Sequence, residues 1–240
     1  MPNELVLVRH GESLGNQAAA AAHLSGAEVI AVPCRDADVP LSPTGRDQAR
    51  ALAPALAPLL DASTAVWSSP YARALQTAEV VVAATPVPHA VWVDERLRDR
   101  ELGVLDTLTR EGVARRFPEE ARRRQWLGKF YHRPPGGESW ADVALRLRSF
   151  LSELPAATGG DRVVLVAHDA IVMLVRYVME RIDEHALLRL GATDPVRNAS
   201  ITVLRHDSGS WRLDRWNDVA HLERAGAAVT EHGGEPDAAH

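Results

Sequence analysis

The 240-residue sequence predicts an α/β fold, a three-layer sandwich whose mostly parallel central sheet is flanked by helices. Three observations carry that prediction. Leu5-Val6-Leu7-Val8 is apolar at every position, and Val163-Val164-Leu165-Val166-Ala167 repeats the pattern late in the chain. A run without polar alternation suits a strand buried on both faces, as in parallel sheets covered by helices. Between the two runs, strand-like segments alternate with helical ones, the order that builds such sheets.

The elements follow in order. Leu5–Val8 is the first strand, and Arg9-His10-Gly11 ends it. Ala18 to Ala22 suit a short helix, and Pro33, Asp36 and Pro40 mark the return as a loop. Pro43-Thr44-Gly45 opens a helix carrying Gln48, Ala49, Leu52 and Leu56, which Pro54 and Pro58 should kink or shorten. Ala65-Val66-Trp67 is a strand candidate. Ser68-Ser69-Pro70 then supplies a cap and a proline for a helix running to about Ala84. Val91-Trp92-Val93 is the next strand and empties into the charged stretch Asp94 to Gly103.

Leu108 to Phe130 is Arg-rich and helical, within an insert at about 107–133. After the turn Pro134-Pro135-Gly136-Gly137, Val143, Leu147 and Leu151 recur at helical spacing, from about Ser139 to Leu154. The strand at 163–167 ends in His168, and helices follow at about Ala170 to Glu180 and Glu184 to Leu190. Ile201–Leu204 and Trp211–Trp216 read as closing strands. One domain over residues 1–217 results, and the Gly- and Ala-rich remainder, 218–240, reads as a disordered tail.

Composition narrows the function classes. At 46% hydrophobic and 25% charged the chain is ordinary for a globular protein. No apolar run approaches membrane-spanning length, and the N-terminus has no signal-peptide pattern, so the default location is cytoplasmic, away from any membrane. Cys34 is the only cysteine, which excludes an internal disulfide and a thiolate metal cluster. Of the net charge of −5, residues 218–240 carry −4, so the body is near neutral and offers no general nucleic-acid-binding surface. His23, His89, His132, His185 and His206 show no metal-ligand spacing, and no metal site or cofactor is expected.

Chemistry concentrates where the two strongest strands stop. In open α/β sheets ligands bind at the carboxyl ends of strands. If the first strand and the late one lie side by side, His10 and His168 face each other there, with Arg9 and Arg73 supplying guanidinium groups. Two imidazoles and two guanidiniums suit a tetrahedral dianion. An imidazole can also act as nucleophile.

The ordered set of motifs resembles the histidine phosphatase superfamily, branch 1, which includes the cofactor-dependent phosphoglycerate mutases. The resemblance rests on Arg9-His10-Gly11-Glu12-Ser13 with Asn16, Pro40-Leu41-Ser42-Pro43-Thr44-Gly45, and Ser68-Ser69-Pro70 with Arg73, Ala74, Gln76, Thr77 and Ala78. Pro135-Gly136-Gly137-Glu138-Ser139 and Val164-Leu165-Val166-Ala167-His168 complete it, so it spans roughly residues 4 to 205. The resemblance implies a phosphoglycerate mutase-like fold and a phosphohistidine mechanism. His10 would attack phosphorus through one ring nitrogen while a backbone carbonyl holds the proton on the other. Arg9, Arg73 and His168 would clamp the phosphoryl oxygens, Asn16 would add a neutral donor, and no metal would be needed.

The leaving group needs a proton, and here the sequence departs from the family pattern. The family's glutamate, four residues before a glycine, falls on Asp99 when counted from Gly103, while Glu101 lies two residues later. Asp99 is the expected acid and Glu101 the second choice, near the substrate. For either, the plain alternative is a surface carboxylate paired with Arg96, Arg98 or Arg100. Asp169 reads as the cap of the following helix, with orientation of His168 as its alternative role. Glu12 and Ser13 read as structural or peripheral. Arg115-Arg116 and Arg122-Arg123-Arg124 read as a solvated helix face.

Within the family, the mutases carry an Arg-Arg pair after a tryptophan and a long proline-rich stretch before Gly-Glu-Ser. Trp126 is instead followed by Leu127-Gly128-Lys129, and the stretch is short. The expected activity is therefore hydrolysis of small phosphomonoesters. A 2,3-bisphosphoglycerate-dependent mutase is the alternative, and a catalytically silent phospho-ligand-binding module the second. The expected partner is a small phosphorylated substrate, with oligomeric state left open and a homodimer among the options.

Overall fold

The computed structural model describes residues 2–157 and 160–232. Its centre is a six-stranded sheet of β1 (Glu4–Arg9), β2 (Ala65–Ser68), β3 (Val91–Val93), β4 (Arg162–Ala167), β5 (Ile201–Asp207) and β6 (Ser210–Asp218), in the order β3-β2-β4-β1-β5-β6. The first four in that order run parallel. Antiparallel β5 and β6 extend the sheet beyond β1. The largely parallel sheet that the apolar runs predict is thus present, with an antiparallel margin.

The two faces of the central strands explain why those runs do not alternate. Leu5, Leu7, Val163 and Leu165 pack with Val143, Leu147 and Phe150 of α6 (Trp140–Ala157) and with Ile171 and Leu174 of α7 (Asp169–Glu180). Val6, Val8, Val164 and Val166 turn the other way, against α2 (Pro43–Leu56), α3 (Ala72–Ala83) and α9 (Ala220–Ala225). Each such buried Val or Leu contributes about 1.5–3 kcal/mol, which favours this two-sided burial over any register that exposes one face.

Elsewhere the chain follows most of its signals, but α3 starts at Ala72 behind Tyr71 with no side-chain cap, whereas the Ser68-Ser69-Pro70 signal places the start earlier. The alanine run lies inside α1 (Leu14–Ser25), a longer helix than its composition suggests because Ser13 and Asn16 form a capping box at its start. Ser42 caps α2, which carries Pro54 in its last turn and yields after Leu56 to a 3₁₀ turn at Ala57–Leu59. The Arg-rich segment divides into α4 (Arg110–Arg116) and α5 (Pro118–Tyr131). Phe117 precedes a proline and so leaves the helical region. The further helix α8 covers Glu184–Thr193.

The expectation of a disordered tail from residue 218 is corrected over 218–232. There α9 lays a fully buried Leu222 into the core, with Val219 and Ala227 packed beside it. Three apolar residues in a Gly- and Ala-rich stretch are enough to dock one short helix, which composition averaging conceals. The rest of that expectation, 233–240, lies outside the described residues. Among the described residues no helix is long and apolar enough to cross a membrane.

Candidate active site

Strand pairing builds the site first. β1 and β4 are parallel neighbours in a register that pairs Arg9 with Ala167. The next residues, His10 and His168, therefore leave the sheet side by side, their rings edge to face with centroids 5.1 Å apart. Both are buried. The His10 backbone N–H still donates to Ala167 O at 2.9 Å, so the histidine is held as rigidly as a strand residue.

The loop after β1 is fixed by a close backbone approach. A Cβ on Gly11 would lie 2.5 Å from Gly45 O, and one on Gly45 would lie 1.9 Å from Glu12 O. Only glycine at both positions lets α2 begin against this loop. Gly11 N donates to Thr77 Oγ1 at 3.1 Å, and Glu12 N donates to Gln48 Oε1 at 2.8 Å. The Glu12 carboxylate accepts from Gln17 Nε2 and Ser42 Oγ, each at 2.7 Å, a joint between loops.

His10 has a defined protonation state and orientation. Nδ1 donates to Gly11 O at 2.7 Å, which leaves Nε2 with its lone pair. Burial is the main influence pushing its pKa well below the ordinary value, and Arg73, His168 and Arg9 add to it against the pull of the Gly11 carbonyl. Arg73 Nε points its hydrogen at His10 Nε2 from 3.3 Å. His168 is likewise pushed well below its ordinary value, first by burial and then by Arg73 and Arg9. Its Nε2 shares a 2.8 Å hydrogen bond with Ser69 Oγ.

Asp99 joins this cluster. Its Oδ2 accepts from Arg73 Nη2 at 3.1 Å and lies 3.2 Å from His168 Nδ1, without the alignment of a hydrogen bond. Glu101 points elsewhere: its Oε1 accepts from Tyr71 OH at 2.9 Å, and its side chain is 49% exposed against 23% for Asp99. The loop holding both is anchored by Glu138, which accepts from Arg98, Arg146 and the Glu101 backbone. Arg146 also donates to Asp99 O at 3.1 Å. The Gly137-Glu138-Ser139 turn acts on the site through that anchor.

Arg9 is buried, and burial is the main influence lowering its pKa. Nη1 donates to Val196 O and Nη2 to His232 O, while Nε has no hydrogen-bond partner. Asn16 gives its Oδ1 to the Ser13 cap, which leaves Nδ2 as its donor. Asp169 is not a cap: His168 holds the N-cap position of α7 with no side-chain bond, and Asp169 opens the helix, where its charge suits the dipole.

Sequence reasoning missed three contributors. Asp36, read as a loop marker, grips Arg73 through both carboxylate oxygens at 3.0 Å. Asn198 is fully buried and donates Nδ2 to His10 O at 3.1 Å. Its signal was topological: a strand antiparallel to β1 starts where β1 ends. The third is the segment 228–232. Ala228 O and Thr230 Oγ1 accept from Gln48 Nε2, and His232 Nε2 meets Glu12 Oε2 at 3.1 Å.

Comparison with known proteins gives a consistent result. The model of the histidine phosphatase superfamily (branch 1) matches residues 5–219. The chain is 30% identical to phosphoglycerate mutase-like protein 4 of Arabidopsis thaliana, over 97% of this chain and 92% of that one. It is 29% identical to a metal-independent phosphoserine phosphatase of the same plant, over 93% of this chain and 84% of that one. Its fold superposes on a mycobacterial glucosyl-3-phosphoglycerate phosphatase in complex with VO3, with TM-score 0.73 and 31% identity over 90% of this chain and 100% of the other.

Proposed function

The chain belongs to the histidine phosphatase superfamily, branch 1, and from that premise we propose that it hydrolyses small phosphomonoesters, without a metal, through a phosphohistidine on His10. The observation that carries this reading is the state of His10: a buried imidazole, tethered at Nδ1 by Gly11 O, with its Nε2 lone pair beside Arg73. Nε2 attacks phosphorus and the ester P–O bond breaks. Asp99, entering in its acid form beside Arg73 Nη2, gives the departing alkoxide its proton and is left as the carboxylate. Water then attacks the phosphohistidine, Asp99 takes the water's proton, and inorganic phosphate and free His10 result.

The charges that develop on the phosphoryl oxygens fall to Arg73, Arg9, His168 and the Asn16 amide. His168 Nε2 is held by Ser69 Oγ at 2.8 Å, which turns Nδ1 toward Asp99. Preorganised donors in a water-poor cluster are most of what phosphoryl transfer asks of a protein.

A screen of phosphomonoesters reading phosphate release, run beside a 3- to 2-phosphoglycerate interconversion assay, tests the reading. Phosphate release from several esters without a bisphosphate activator supports it. Interconversion dependent on 2,3-bisphosphoglycerate with little phosphate release would replace it with a mutase.

A further inference from the structure

All five N–H groups of the Arg73 guanidinium are directed at acceptors of the protein itself. Nε–H faces His10 Nε2 at 3.3 Å. Nη1 donates to the Asp36 carbonyl at 2.7 Å and to Asp36 Oδ1 at 3.0 Å, and Nη2 donates to Asp36 Oδ2 at 3.0 Å and to Asp99 Oδ2 at 3.1 Å. Asp36 thus takes three of the five contacts, two of them as a carboxylate fork across both terminal nitrogens. A guanidinium receives a phosphate edge through the same pair of parallel bonds. The carboxylate and a phosphoryl group want one edge of one side chain.

The partners are unequally committed to that contact. The Arg73 side chain is 6% exposed and the Asp36 side chain 41%. On release the carboxylate returns to water at little cost, whereas the buried arginine needs another anion in its place. Asp36 opens a 3₁₀ turn, Asp36–Asp38, whose preceding residue Arg35 clasps Asp38 at 2.8 and 3.1 Å. That clasp holds the turn together independently of Arg73.

On the reading of Arg73 as a phosphate ligand, we propose that Asp36 sets the affinity of this site: its carboxylate competes with the phosphoryl group for Arg73 and must withdraw before substrate or product phosphate can bind. A phosphate dianion returns more charge to the guanidinium than the monoanion it displaces, so the exchange runs forward on binding. The apparent affinity is lowered by the fraction of molecules in which Asp36 holds Arg73.

The test is inorganic phosphate titrated into the wild-type protein, Asp36→Asn and Asp36→Ala, followed by phosphorus NMR line width, with KM and kcat for an aryl phosphate measured on the same samples. Both variants should bind phosphate about tenfold more tightly, with KM falling in parallel and kcat changing less. Asp36→Asn keeps the volume and one acceptor, so it reports even if Asp36→Ala disturbs the turn. Unchanged or weaker phosphate binding in a wild-type-like fold overturns the proposal, the weaker case meaning that Asp36 orients Arg73 instead. If the wild-type protein itself neither binds phosphate nor hydrolyses the ester, the phosphatase reading falls with it. If it does both and only the tightening is missing, this inference alone falls.

Discussion

His10 and His168 stand edge to face with ring centroids 5.1 Å apart because the strands that end in them are parallel neighbours. Burial and the nearby guanidiniums hold both imidazoles well below their ordinary pKa. Two neutral rings and two cations therefore share one buried cluster. A neutral His10 with Nδ1 tied to a carbonyl is in the form a nucleophile requires, and the fold creates that form without substrate.

That protonation state makes stability depend on pH. Below the ordinary histidine value of 6.5, the unfolded chain binds protons that the folded His10 and His168 refuse. The stabilisation is fully present above 6.5 and is lost as pH falls from there through the depressed folded values. Each histidine should contribute a slope of up to about 1.4 kcal/mol per pH unit. Urea unfolding at a series of pH values between roughly 7.5 and 5 measures it; a flat profile there would contradict the assignment. The acid limb of kcat/KM should likewise lie below 6.5.

Asp99 and Glu101 are separable by leaving group. Asp99→Asn should slow esters of poor, high-pKa alcohols by ~100-fold while nitrophenyl phosphate suffers much less. Glu101→Gln, which keeps an acceptor for the Tyr71 hydroxyl and loses the ion pair with Arg98 at 3.9 Å, should show no such pattern. Burst amplitude and rate for both ester types read the difference, and the reverse result would move the acid to Glu101.

Much of this site was legible in the sequence because it depends on strand ends. Two apolar runs ending in His10 and His168 required only that their strands be neighbours, and the sheet order makes them so. The count from Gly103, taken from the family pattern, falls on Asp99, which the fold brings to Arg73 and His168; Gly103 itself has φ +56°, and a Cβ there would lie 2.1 Å from Pro135 O. What stayed hidden depends on chain return. Asp36, Asn198 and Thr230 come from segments without a periodic signal, and their partners lie far away in sequence. Over 218–232 the disordered-tail reading failed for the same reason, since a composition average cannot see one buried Leu222.

The closing segment should therefore matter to the fold. Thr230 Oγ1 accepts from Gln48 Nε2 at 2.8 Å and donates to Asn198 Oδ1 at 3.1 Å, and both partners are buried. Thr230→Val keeps the shape, removes one of the two bonds of Gln48 Nε2 and takes the Thr230 donor from Asn198 Oδ1, so it should cost about 1–3 kcal/mol. Denaturant midpoints at unchanged slope check it. A neutral substitution would mean that the segment does not hold Gln48 and Asn198.

Gly45→Ala should be more severe. The added methyl would meet Glu12 O at 1.9 Å, backbone against backbone, so α2 and the loop after His10 must part. A loss of about 1–3 kcal/mol and a sharp fall in kcat are expected, because the displaced loop carries the Gly11 carbonyl that holds His10 Nδ1. Parallel measurement of melting temperature and turnover decides it, and a stable, fully active variant would contradict the close approach.

The central claim is that His10 Nε2 becomes phosphorylated. Rapid acid-free quench of the protein during turnover of a radiolabelled aryl phosphate, followed by peptide mapping, should recover phosphate that is acid-labile, alkali-stable and attached at His10. The same quench on His10→Ala, with its fold verified by circular dichroism, should recover none, and turnover should vanish. Near-native turnover in His10→Ala, or label found on another residue, would contradict the account.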